Sequence, residues 1–166
     1  MANVILICGK ICSGKTTYAK RLITENSAVL LSVDEITLAL FGQQIGEKHD
    51  EMVEKTQIYL FQKATEIIRT GINVIFDWGF WTIEERQYAT KFFKVKRISV
   101  EWHYIDVCDD VWQKNLNQRN ERITNGQDNF YFIDENIAAK FKRLFEIPNR
   151  NEMDVWYENT WTGVSP

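Results

Sequence analysis

The chain has 166 residues, of which 45% are hydrophobic and 13% aromatic, with only two prolines. This sets one compact domain with a sizeable core and excludes the disordered, collagen-like and low-complexity classes. Twenty Lys and Arg against 23 Asp and Glu leave a formal charge of −3, so no overall basic footprint marks a nucleic-acid backbone as partner.

The first β-rich run, Asn3 to Cys8, is too short for a signal peptide or a membrane span, and Met1-Ala2-Asn3 is no positive n-region. Cys8, Cys12 and Cys108 are an odd count without framework spacing, which points to free thiols in a reducing compartment. The expectation is a cytoplasmic protein with no membrane association.

Directly after this strand comes Gly9-Lys10-Ile11-Cys12-Ser13-Gly14-Lys15-Thr16, the spelling G-x-x-x-x-G-K-T, opening a helix that runs to about Glu25. The glycines let the backbone curl so that successive N–H groups face an anion, and the helix adds its positive end. Lys15 can bridge the β- and γ-phosphates of a nucleotide, the Thr16 hydroxyl is a hard ligand suited to Mg²⁺, and Thr17 is placed for the α-phosphate. A preceding strand and a following helix are the context that separates this loop from a glycine-rich turn of the same spelling. No guanine-reading N-K-x-D motif is present, which favours ATP as the nucleotide.

Asp34 follows the second run, Ala28 to Ser32. There a carboxylate can accept a proton from an attacking hydroxyl, or simply cap a helix over Ile36 to Phe41; Glu35 is the second choice as base. Val53, Gln57, Leu60, Ala64, Ile67 and Ile68 recur at helical spacing between about Asp50 and Thr70, and Gly71 is the natural stop. The third run, Asn73 to Phe76, ends in Asp77, either a carboxylate near Mg²⁺ or a turn residue. Trp78, Phe80 and Trp81 then fall in a turn on the ligand side, where flat apolar walls suit an acceptor pocket better than simple packing.

Thr82-Ile83-Glu84-Glu85 has the form of a capping box. The fourth run spans Arg97 to Asp106 and includes His103, which has no sequence partners for a metal site or a triad. A helix from Asp109 to about Arg122 carries Arg119 and Arg122 on one face, either as solvated charges or reaching nucleotide phosphates. Ile123 to Asn129, with Asn125-Gly126, reads as a mobile loop able to close over the nucleotide, and Phe130, Tyr131 and Phe132 as core residues or loop anchors. A helix from Asp134 to about Phe145 and a last strand, Asp154 to Glu158, complete the chain. Strands alternating with helices predict an α/β fold, a parallel sheet covered on both faces, with ligands beyond the carboxyl ends of the strands.

The chain resembles the small P-loop kinases that group with polynucleotide 5′-hydroxyl kinases, chloramphenicol phosphotransferase and zeta toxins, an AAA-type set of bacterial kinases. The resemblance rests on the phosphate loop, on Leu31-Ser32-Val33-Asp34-Glu35-Ile36, on Val74-Ile75-Phe76-Asp77 and on Gln118-Arg119-Asn120. It implies a P-loop NTPase fold of the nucleoside- and shikimate-kinase type, with five parallel strands and Asp77 on the strand beside the phosphate-loop strand. It further implies a single kinase domain over residues 1–166 with a lid near 119–132. Lys15, Asp34 and Arg119 would be catalytic; Gly9 to Thr17 with Arg119 and Arg122 would hold ATP; Thr16 and Asp77 would hold Mg²⁺. Asp34, Trp78, Phe80 and Trp81 would meet the acceptor. Relatives often carry an Arg three residues after the Asp, where Thr37 stands here, which speaks against a polynucleotide end as acceptor. The expected activity is transfer of the γ-phosphoryl group of Mg·ATP to a hydroxyl of a small molecule such as a nucleoside, sugar or antibiotic. The alternatives are a polynucleotide or nucleotide kinase and a P-loop regulator that binds nucleotide without turnover.

Overall fold

Strand β1 (Val4–Cys8) is buried at every position, as a strand is when neighbours flank it and helices cover both of its faces. The computed structural model describes residues 2–42, 48–128 and 130–160. Strands β2 (Ala28–Ser32), β3 (Asn73–Asp77), β4 (Val100–Asp106) and β5 (Val155–Glu158) join β1 in one sheet of order β2-β3-β1-β4-β5. Every pairing is parallel, and Asp77 lies beside Ile7 of β1 and Ser32 of β2. The five-stranded parallel sheet and the place of β3 next to β1 are as expected.

The crossovers are α1 (Lys15–Asn26), α2 (Val33–Phe41) with α3 (His49–Arg69), α4 (Ile83–Val95), and α5 (Asp109–Thr124) with α6 (Glu135–Leu144). Alternation along the strands splits the core. Leu6, Cys8, Phe76 and Tyr104 pack with Phe61, Phe80, Phe93 and Phe145 on one face. Ile5, Ile7, Ile75 and Ile105 meet Tyr18, Ala19 and Leu22 of α1 on the other. His103 belongs to that second face: its ring nitrogens meet the Tyr18 hydroxyl at 2.8 Å and Glu101 at 2.9 Å, so it fastens α1 to β4. A third cluster, around Val107, Trp112, Leu116 and Ile133, lies under α5 and α6.

Three boundaries depart from expectation. Ser32, not Asp34, caps α2, its hydroxyl accepting from the Glu35 N–H at 3.3 Å. Asp34 stands inside the first turn, where its charge complements the helix dipole. Strand β4 begins at Val100, because Arg97 sits at φ 58 in the turn that closes α4. The segment Ile123 to Asn129 opens with the last two residues of α5, and Asn129 lies outside the described residues. Among the described residues, no helix is long and apolar enough to cross a membrane.

Candidate active site at the carboxyl edge of the sheet

The phosphate loop leaves β1 at Gly9, whose N–H donates to the Gly79 carbonyl at 3.2 Å, so the loop and the turn after β3 share an edge. Each carbonyl from Gly9 to Ser13 has a donor. Lys15 Nζ donates to Gly9 O at 2.9 Å and to Lys10 O at 2.6 Å. Trp112 Nε1 reaches Ile11 O at 2.7 Å, and Asn115 Nδ2 reaches Cys12 O at 3.2 Å. Asn159 Nδ2 reaches Ser13 O at 2.8 Å. Cys12 takes the left-handed conformation at φ 57, and Gly14 follows at φ +97 before α1 begins. Asn115 and Asn159 escaped sequence analysis, as did Trp112.

Burial lowers the pKa of Lys15, opposed first by the Asp77 carboxylate and then by Cys12 and Asp34. Asp77 is 7% exposed. Burial pushes its carboxyl above the usual range, while Lys15 and a hydrogen bond from Thr16 pull it down. The ends of β1, β2 and β3 therefore gather one ammonium, one hydroxyl and two carboxylates, with Asp34 exposed to solvent. A hydroxyl beside a carboxylate suits Mg²⁺, which keeps several waters and takes its other oxygens from phosphates. Among the described residues, no group of three or more His, Cys, Asp or Glu forms a metal cluster.

Arg119 comes to the loop from α5. Its Nη1 lies 3.9 Å from Cys12 Sγ, its Nη2 donates to Tyr131 O at 3.3 Å, and its guanidinium covers the Phe130 ring at 5.0 Å. Arg122 does not join it. Its guanidinium is paired with Asp128 at 2.8 Å, and its side chain is more than half exposed. Asn120 grips both backbone groups of Ile133, donating to its carbonyl at 2.6 Å and accepting from its N–H at 3.1 Å.

The aromatic turn divides. Phe80, expected in an acceptor pocket, is only 2% exposed and packs between Trp78 at 4.7 Å and Trp102 at 5.0 Å. It is a core residue, packed with Phe76, Phe93 and Tyr104, in a turn where its backbone takes the left-handed conformation at φ 45. Trp78 is half-buried and also meets Phe76 at 4.7 Å and Phe61 at 5.2 Å. Trp81 packs on Phe141 of α6 at 4.5 Å. A side chain at Gly79 would collide with the Trp81 indole, so glycine is required there. The turn is fastened by Arg86, which sequence analysis also missed. Its Nη1 donates to Phe80 O and Glu146 O, each at 3.1 Å, and its Nε to Glu152 at 2.9 Å.

A family model described as an AAA domain matches residues 4–148, most of the chain, and the chain belongs to that family. Among curated proteins no sequence match was found. Solved structures are similar at low identity. A candidate kinase from Chloroflexus aurantiacus J-10-fl superposes with a TM-score of 0.72 at 17% identity, over 95% of this chain and 84% of that one. A chain of the Pnkp1/Rnl/Hen1 RNA repair complex gives 0.70 at 19% identity, over 86% of this chain and 43% of that one. The Mycobacterium tuberculosis APS kinase CysC, solved with AMPPNP and APS, gives 0.65 at 17% identity, over 96% and 90%. At such identities the likeness shows the fold, that of P-loop kinases.

Proposed function

We propose that this member of the AAA-domain family transfers the γ-phosphoryl group of ATP to a hydroxyl group of a small molecule. The meeting of Lys15, Thr16, Asp77 and Asp34 at one sheet edge carries this reading. The loop from Gly9 to Thr17 binds the triphosphate, and Lys15 leaves the carbonyls of Gly9 and Lys10 for the β- and γ-phosphate oxygens. Thr16 and Asp77 would hold Mg²⁺, which would supply neutralising charge to those phosphates. Asp34, exposed and free of a capping duty, orients the acceptor hydroxyl and takes its proton as the oxygen attacks the γ-phosphorus. The bond between that phosphorus and the bridging oxygen breaks, and the electron pair leaves with ADP. Arg119 exchanges its contact with Cys12 for transition-state charge on the γ-phosphoryl group, as residues 119–132 close. Arg122 would reach the phosphates only by leaving its pair with Asp128. Trp78 and Trp81 form the apolar wall of the acceptor site, and Phe80 supports them from the core.

A screen of ATP-to-ADP turnover against nucleosides, sugars and aminoglycoside- or phenicol-type antibiotics tests the reading. Acceptor-dependent ADP release with a stoichiometric phosphorylated alcohol is the expected result. ATP binding with no turnover on any acceptor would favour a nucleotide-dependent regulator instead.

A further inference from the structure

We infer that Asn159 is a positioning residue for phosphate binding: from beyond β5 it sets the peptide between Ser13 and Gly14 so that the Gly14 N–H faces the phosphate. The inference rests on the nucleotide reading above and adds a residue that neither the loop motif nor the matched stretch 4–148 contains. Asn159 follows β5 and is 7% exposed. Its backbone N–H donates to Asp106 O at 2.7 Å, which ties it to the end of β4, and its Nδ2 donates to Ser13 O at 2.8 Å. The amide reaches so close because Gly14 has no side chain; a Cβ there would collide with Nδ2. A trans peptide is planar, so its carbonyl and the next N–H point in opposite directions. Drawing the Ser13 carbonyl toward β5 therefore turns the Gly14 N–H the other way, into the loop.

Trp112 and Asn115 draw the two preceding carbonyls outward from the α5 side in the same manner. Asn159 differs in being anchored to the sheet itself. The loop is thus clamped between α5 and the β4–β5 edge, and its donors are oriented before any ligand arrives. Preorganisation of this kind raises affinity because the reorientation is not charged to the binding event.

The test uses full-length protein, with inorganic tripolyphosphate and ATP as probes in calorimetry, on wild type, Asn159→Ala and Asn159→Asp. Removing one buried hydrogen bond should weaken both probes roughly tenfold in the Ala variant, and by equal factors. The Asp variant keeps the size but sets a carboxylate against the Ser13 carbonyl, so near neutral pH it should bind more weakly still. As pH falls into the carboxylate range its acid group becomes a donor again, so its affinity relative to wild type should recover, while that of the Ala variant does not. A merely structural residue would not give that pH profile. Unchanged tripolyphosphate affinity in the variants would overturn the inference. So would loss confined to ATP, which would place Asn159 against the nucleoside, and so would unfolding of both variants, which would make it a strut of the fold. Wild-type protein that binds neither probe would instead refute the nucleotide reading itself.

Discussion

Lys15 holds two backbone carbonyls in a site whose burial disfavours its charge, so a polyphosphate offers it a better partner than the loop does. Lys15→Ala should weaken Mg·ATP roughly 10- to 100-fold, the worth of a charge-assisted hydrogen bond, and calorimetry on the folded variant checks it. Asp34→Asn separates chemistry from folding, because Ser32 and not Asp34 caps α2. If the carboxylate takes the acceptor proton, turnover should fall roughly 10²- to 10⁴-fold with little change in ATP affinity. Near-normal turnover would move the role to Glu35 or Asp77. The cysteines differ as sharply. Burial pushes the Cys8 thiol up to about 12, whereas Cys108 is exposed. Since the thiolate is the reactive form, a thiol reagent at mildly alkaline pH should label Cys108 quickly and Cys8 only after unfolding, as mass spectrometry of the labelled peptides will show.

Elements were legible where their determinants are local. The phosphate loop is one run of consecutive residues with its strand before and helix after, and the capping box of α4 is as the sequence spells it, with both Thr82–Glu85 bonds at 3.1 Å. Thr82→Ala should accordingly cost about 1 kcal/mol in a denaturant titration. The turn before it differs from expectation at Phe80, because the ring's partner Trp102 and the residues that Arg86 joins to the Phe80 carbonyl, Glu146 and Glu152, lie far along the chain. Asn159 and Trp112 were missed for the same reason. Their loop partners are 146 and 101 residues away, and an Asn after a strand or a Trp in a helix carries no mark of such a partner. Asp34 shows the intermediate case: its position after β2 is legible in the sequence, but which residue caps α2 is not, since Ser32 two residues earlier offers a hydroxyl that takes the cap.

On the scale of the whole molecule, charge bears on which acceptor the proposed transfer would use. Against the net −3, four cations gather within seven residues: Lys91, Lys94, Lys96 and Arg97, all exposed, at the end of α4. β1 and β4 run parallel with Val4 beside Val100, so this cluster lies at the sheet's amino-terminal pole, opposite the phosphate loop that follows Cys8. A polynucleotide kinase needs cations along the path of a strand into the active site, and these four face away from it. Short single-stranded DNA or RNA should therefore bind only non-specifically, with Kd weaker than roughly 10⁻⁶ M at physiological salt. Whatever binding occurs should be lost in a variant with Lys91, Lys94, Lys96 and Arg97 changed to Ser, and should be indifferent to saturating ATP, because the two sites are at opposite ends. Fluorescence anisotropy with labelled oligonucleotides, repeated across a salt series with and without ATP, distinguishes the cases. Tight binding that falls steeply with salt, survives removal of the four cations and responds to ATP would place a strand at the phosphate-loop edge and make a polynucleotide end the acceptor.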